Sequence, residues 1–302
     1  MVERIRKELE SVLGEGQVLQ NEPLSAHTTF RVGGPADLYL TPNAAQLPRV
    51  MEIVSSYGIP ATVIGNGSNL LVGDRGIRGA VIEIGRQMAD ISVAGECVTA
   101  QAGALLSKAA NEAYKNSLSG LEFAAGIPGS TGGAMVMNAG AYGGEMKDVT
   151  VRVKVLSGDG AILELDAAQM EFSYRYSCVA EKGYLVLEAS FLLQKADPAQ
   201  IAARMEELKE KRVSKQPLEY PSAGSTFKRP QGYFAGKLIM DAGLAGFSVG
   251  GAQVSEKHCG FVINRGNAKA ADILAVIRHV QETVRAQFGV ELETEVKMLG
   301  EF

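Results

Sequence analysis

The chain has 302 residues, of which 46% are hydrophobic and 21% charged, with a formal net charge of −4. That length suits two or three domains around ordinary cores, and the composition is that of a soluble globular protein. No basic run is long enough to attract nucleic acid or an anionic membrane in bulk, no stretch of about 18 apolar residues spans a bilayer, and the opening MVERIRKELE lacks the apolar core of a secretion signal, so a cytoplasmic location is expected.

In chain order, residues 2–14 predict a short amphipathic helix stopped by Gly14 and Gly16. ADLYL (36–40) predicts a strand, Asn43 predicts the cap of a helix reaching Tyr57 and Gly58, and ATVI (61–64) predicts the next strand. The chain then enters GNGSN (65–69). Strands are expected at 81–84, 90–94 and 97–102, and a helix near 104–116. A second glycine-rich stretch, GIPGSTGGAMVMNAGAYGGE, fills 126–145. Further strands are expected at 151–156, 162–165 and 184–193, then a charged helix over 199–213 that connects to a last region. In that region Ile273, Ile277, Val280, Val284 and Phe288 share one face of a long helix, Gly289 stops it, and VELETEVKMLG reads as a closing strand. The pattern is α+β. The expected division is 1–80, 81–210 with the 290–302 strand returning to it, and 211–289.

Glycine makes up 35 of the 302 residues, against about 7% in average proteins, and the excess falls in the two stretches. Gly65 and Gly67 let backbone amides approach a ligand, with donors from Ser68 and Asn69, a run that fits a pyrophosphate. Seven glycines in 126–145 leave a backbone able to lie against a planar ring. Tight turns and close packing are the plainer reading of either stretch alone. No GxGxxG follows a strand, and Gly236-Lys237 is followed by Leu238, so neither a Rossmann nor a P-loop site is expected. Cys97, Cys178 and Cys259 form no CxxC pair or Cys/His cluster, so no metal site and no disulfide framework is expected.

The segments TTFRVGGPA (28–36), GNGSNLLVGD (65–74), 126–145, YRYS (174–177), AGSTFKRP (223–230), GGAQVSEKHCGFVIN (250–264) and LETEVKMLG (292–300) together resemble the UDP-N-acetylenolpyruvoylglucosamine reductase (MurB) family. They occur in order from about residue 20 to the C-terminus. The resemblance implies a two-subdomain FAD-binding module of the vanillyl-alcohol-oxidase (PCMH) type plus an α+β substrate domain. It implies FAD as cofactor, NADPH as cosubstrate, and a UDP-sugar as the small-molecule partner, with a monomer the expected form. The family reaction passes hydride from flavin N5 to the terminal carbon of an enolpyruvyl group.

Carried over by motif, the implied catalytic residues are Arg175, Ser225 and Glu295. A guanidinium at Arg175 suits a carboxylate, Ser225 would be the proton donor, and a Glu295 carboxyl kept protonated by the neighbouring anion or by burial would donate to the developing charge. Cofactor contacts are implied for Arg31, Gly65, Asn66, Gly67, Ser68, Asn69, Gly126, Ile127, Pro128, Gly129, Gly132, Gly133, Ala134 and Asn138. Substrate contacts are implied for Tyr174, Lys228 and Arg229; His258 and Tyr142 are weaker candidates. Without the family, Arg175 reads as a stacked surface group, Ser225 as turn chemistry and Glu295 as a solvated face. The chain resembles the shorter class of the family, since only 50 residues separate Arg175 from Ser225 and leave no room for the tyrosine loop of the longer class.

Overall fold

A computed structural model describes residues 2–302. Two contact-dense units divide the chain, and neither is continuous in sequence. One takes the described residues through Gln20 with Leu38–Asn66 and Gly79–Arg212; the other takes Asn21–Asp37, Gly67–Arg78 and Val213–Phe302.

In the first unit, helix Val2–Leu13 puts Ile5, Leu9 and Leu13 on one buried face, four residues apart, the spacing that lines up side chains along a helix. Helix Leu47–Ser56 buries Leu47, Val50, Ile53 and Val54 in the same core. It starts three residues later than expected, because the Asn43 side chain accepts from the amides of Ala45 and Gln46 and forms a turn ahead of the helix. Strand Ala61–Ile64 pairs in parallel with Ile77–Glu83, Ala61 opposite Ala80. Most of the unit's core lies under a five-stranded antiparallel sheet of order Ile162–Asp166, Thr150–Leu156, Leu185–Leu192, Cys97–Gln101, Ile91–Ala94. Helices Leu106–Lys115 and Thr131–Met137 contribute to that core. The second of these lies inside the glycine-rich stretch, which predicted no helix; Ser130 caps it through the amide of Gly133, and Asn138 ends it in the left-handed region.

The second unit has its own core, in which Phe30, Val32 and Leu71 join Ile273, Val276, Ile277, Val280 and Val284 of helix Ala270–Phe288. Asp74 accepts from the amides of Ala270 and Ala271 at 2.8 and 3.0 Å, neutralising two of the orphan donors that open this helix. Gly289, at φ 68°, ends it as expected. A three-stranded antiparallel sheet, Ser248–Val249, Ala252–Val254 and Val262–Asn264, completes the layer. The segment expected as one closing strand divides its pairing. Thr294 bridges Phe227, and only Lys297–Leu299 forms a strand, parallel to Leu70–Val72.

Candidate functional site

The expected site residues fall into two groups, one in each unit. In the first unit, Gly65 and Asn66 follow strand Ala61–Ile64 directly. Any Cβ on Gly65 would run into the Ser130 hydroxyl. The Asn66 amide donates to the Pro128 carbonyl at 2.5 Å, so GN and GIPGS form one surface. A Cβ on Gly132 would stand 3.0 Å from Ala102 Cβ. The amides of Ile127 and Gly132 are spent on Ala124 and Ala102, and that of Gly133 on the Ser130 cap. These three residues therefore offer shape rather than donors. Ala134 keeps a buried methyl in the core.

Beside this surface stands Arg212, near the end of helix Pro198–Lys215. Its Nη1 lies 3.1 Å from where a Cβ on Gly126 would be, and its Nε is buried without a hydrogen-bond partner. Burial pushes its guanidinium below the ordinary arginine value, with Tyr142 opposing. Nothing in the sequence singled it out, because it sits in the charged run EELKEKRVSK.

Arg175 occupies the tip of a two-residue turn in which Ser173 and Tyr176 exchange backbone hydrogen bonds of 3.1 and 3.2 Å. Its φ of 55° is uncommon for a residue with a side chain. Asn138, itself at φ 41° and wholly buried, holds the turn: its Nδ2 donates to Ser173 O and to Glu145 Oε2, both at 3.0 Å, while its Oδ1 accepts from the Lys147 amide. With its amide so committed and no surface exposed, Asn138 braces the Arg175 turn and has no face for a cofactor. Glu145 is held below the ordinary carboxylate range by Lys147 first, then by Asn138 and the Arg175 charge. Arg175 Nη2 donates to Gly140 O at 3.4 Å and its guanidinium lies 5.1 Å from the exposed Tyr174 ring. The Tyr176 hydroxyl donates to Glu181 at 2.6 Å, which pushes it up to about 12; it is a tether.

The second unit brings Asn69, Ser225 and Glu295 together. The Glu295 amide donates to Thr226 O at 2.9 Å, the Asn69 side chain donates to Glu295 O at 3.0 Å, and the Lys297 amide donates to Asn69 O at 2.9 Å. Ser225 is exposed and precedes Thr226, which is wholly buried and bonded to the amide of Val262. A Cβ on Gly67, at φ 61°, would collide with the His27 carbonyl, so glycine is required there. Arg31 is exposed at φ 56° and Ser68 half-buried. Lys228 pairs with Glu293 at 2.8 Å, holding that carboxylate below its ordinary range. The Arg229 guanidinium lies 4.0 Å over the Phe234 ring. His258 Nδ1 accepts from the Gly260 amide at 3.1 Å, and Gly260 O accepts from the Thr226 amide, so the histidine loop backs the Ser225 segment. Burial, then Lys215, pushes His258 below the ordinary histidine value.

Among the described residues, no group of three or more His, Cys, Asp or Glu is placed to hold a metal ion, and no helix is long and apolar enough to cross a membrane. Cys178 and Cys259 are free and buried, and burial raises both thiols.

Comparison with known proteins gives a consistent result. A family profile described as an FAD binding domain matches residues 35–166, and one described as the UDP-N-acetylenolpyruvoylglucosamine reductase C-terminal domain matches 216–299. The UDP-N-acetylenolpyruvoylglucosamine reductase of Agathobacter rectalis is 59% identical over 297 residues, covering 94% of this chain and 95% of its own. That of Caldanaerobacter subterraneus subsp. tengcongensis is 50% identical with both chains fully covered. The crystal structure of the reductase (MurB) from Thermus caldophilus superposes with a TM-score of 0.82 at 37% identity, covering 94% of this chain and 99% of that one. A glucose dehydrogenase, wild-type Phl p 4.0202, shares the fold alone, with a TM-score of 0.50 at 14% identity over 74% of this chain and 52% of its own.

Proposed function

Because this chain belongs to the UDP-N-acetylenolpyruvoylglucosamine reductase family, we propose that it uses NADPH to reduce the enolpyruvyl group on UDP-N-acetylglucosamine, giving UDP-N-acetylmuramate, through Arg175, Ser225 and Glu295. It is a flavin-dependent oxidoreductase of peptidoglycan synthesis, and its cofactor is FAD. The residues of the first unit suit that cofactor on their own geometry: glycines where a Cβ would collide, and a buried guanidinium nitrogen without a partner. Gly65, Asn66, Gly126, Pro128 and Gly129 would hold it through backbone and amide groups, with Gly132 and Gly133 keeping the surface flat; Arg31, Gly67, Ser68 and Asn69 are further proposed cofactor contacts. When bound, FAD supplies the two-electron carrier between nicotinamide and enol.

The chain's own groups do the rest. Hydride addition at the terminal vinyl carbon leaves negative charge on the adjacent carbon and in its carboxylate. The Arg175 guanidinium, always charged, meets that carboxylate from a turn that cannot relax away, since Asn138 fixes its base. Ser225, exposed at the end of a ladder anchored by Thr226, delivers a proton to the adjacent carbon. Glu295, on the neighbouring segment, donates to the charge while it builds and helps restore the serine proton. Lys228 and Arg229 supply cationic contacts for the nucleotide diphosphate, and Tyr174 is a further substrate contact. Both cosubstrates are intracellular metabolites, so the proposed site of action is the cytoplasm.

The observation that carries the reading is the pairing of the Ser225 and Glu295 segments, Glu295 amide to Thr226 carbonyl, beside Asn69. Anaerobic stopped-flow mixing of the purified holoenzyme, first with NADPH and then with the enolpyruvyl nucleotide, tests it. NADPH should bleach the flavin, and the nucleotide should restore the colour with one UDP-N-acetylmuramate formed per flavin. Reduced flavin that ignores the nucleotide and is reoxidised only by O₂ would instead mark an oxidase on the same fold.

A further inference from the structure

Helix Pro198–Lys215 carries several basic side chains, and most are neutralised locally. Arg204 and Lys211 pair with Glu207, and Lys209 pairs with Glu206. Arg212 differs. It forms no ion pair among the described residues, its Nε is buried without a hydrogen-bond partner, and its side chain turns onto the glycine loop, with Nη1 and Cδ 3.1 and 3.3 Å from where a Gly126 Cβ would stand. A cation withdrawn from water without a carboxylate costs free energy. Its neighbours on the loop side, Gly126 and Tyr142, bring no formal negative charge. Glycine at 126 is what admits the guanidinium, and the same loop is joined to Asn66 through Pro128. Neither family profile includes the residue, since one ends at 166 and the other begins at 216.

We infer that Arg212 is held ready as the charge partner of an anionic part of the flavin nucleotide, either its diphosphate or the pyrimidine edge of the reduced ring. The inference rests on FAD being the cofactor and is independent of which substrate is reduced. The arrangement has a consequence that a purely structural arginine would not share. A half-buried guanidinium with no ion pair among the described residues burdens the empty protein, so removing the charge while keeping the aliphatic stem should not weaken the apoprotein, yet should weaken what the flavin gains.

The test compares Arg212→Met and Arg212→Lys with the parent in three measurements: thermal midpoint of the flavin-stripped protein, FAD dissociation constant, and two-electron midpoint potential of bound flavin. Expected is an Arg212→Met apoprotein that melts at or above the parent and gains less from FAD. If the diphosphate is the partner, the FAD dissociation constant rises about tenfold with the potential unchanged. If the reduced ring is the partner, binding of oxidised FAD changes little and the potential falls by about 30 mV, the two-electron equivalent of tenfold. Arg212→Lys, which keeps the charge, should recover part of either effect. In Arg212→Met, FAD affinity within twofold of the parent together with a potential within about 10 mV of it would overturn the assignment, as would an apoprotein that melts well below the parent. A parent protein that binds no FAD would instead remove the cofactor reading on which the inference stands.

Discussion

The two units present their expected site residues in opposite ways. In the first, function is written in shape and bracing. Gly65 and Gly132 stand where a Cβ would crowd Ser130 and Ala102, Asn138 is wholly buried with its amide fully committed, and Arg175 is fixed at a positive φ by the turn beneath it. In the second, an exposed serine and a half-buried glutamate hang from a backbone ladder, and the Arg229 guanidinium lies over a Phe234 ring that is 62% exposed. A rigid, glycine-lined surface suits a resident planar cofactor that must not move, whereas exposed side chains on a ladder suit a substrate that comes and goes. Substitutions in the glycine-lined surface should therefore act through geometry and cofactor binding, and those at Ser225, Glu295 and the braced Arg175 through chemistry on the substrate.

The sharpest way to break this contrast is Ser225→Ala, which removes the proposed proton donor and nothing buried. Overall turnover should fall about 10²–10⁴-fold, with FAD content unchanged. Next, Arg175→Gln keeps the turn's backbone demand but loses the charge; kcat should fall about 10²–10³-fold, measured in steady state, and a change confined to KM would contradict its place in the transition state. Smaller still, Asn138→Ala frees Ser173 O, Glu145 and the Lys147 amide at once, and should lower stability by about 1–3 kcal/mol, read by urea denaturation. It should also impair the Arg175-dependent step while FAD binding stays close to normal; a large loss of FAD affinity would return Asn138 to the cofactor contacts.

The smallest expected effect concerns His258. Burial holds its folded-state value below 6.5, so on acidification the unfolded chain takes up the proton first. Stability is then lost as pH falls below about 6.5 and on through the folded value. His258→Gln should flatten that limb of a stability–pH curve; an unaltered limb would show that the histidine does not report on the segment behind Ser225.

Much of the first unit's framework was legible in the sequence. Strand Ala61–Ile64 follows from ATVI between Pro60 and Gly65, and the first helix from the four-residue spacing of Ile5, Leu9 and Leu13. Helix Thr131–Met137 was not, because two of its seven residues are glycine and its stability comes from the Ser130 cap and the burial of Met135 rather than from propensity. The bracing role of Asn138 was equally hidden: its partners at 145, 147 and 173 become neighbours only on folding. Arg212 was masked by the charges around it, since a run of alternating sign gives no sign of which cation turns inward. Arg175, Ser225 and Glu295 were reached through the ordered motifs, and their local contexts alone did not distinguish them.

The division of labour between the glycine-lined surface and the Ser225 ladder is tested most directly by following the two half-reactions of Ser225→Ala separately in the stopped-flow. NADPH should reduce the flavin of this variant at the parent rate, and the reduced flavin should then fail to be reoxidised by the enolpyruvyl nucleotide. Equal slowing of both half-reactions, or normal reoxidation by the nucleotide, would contradict the account.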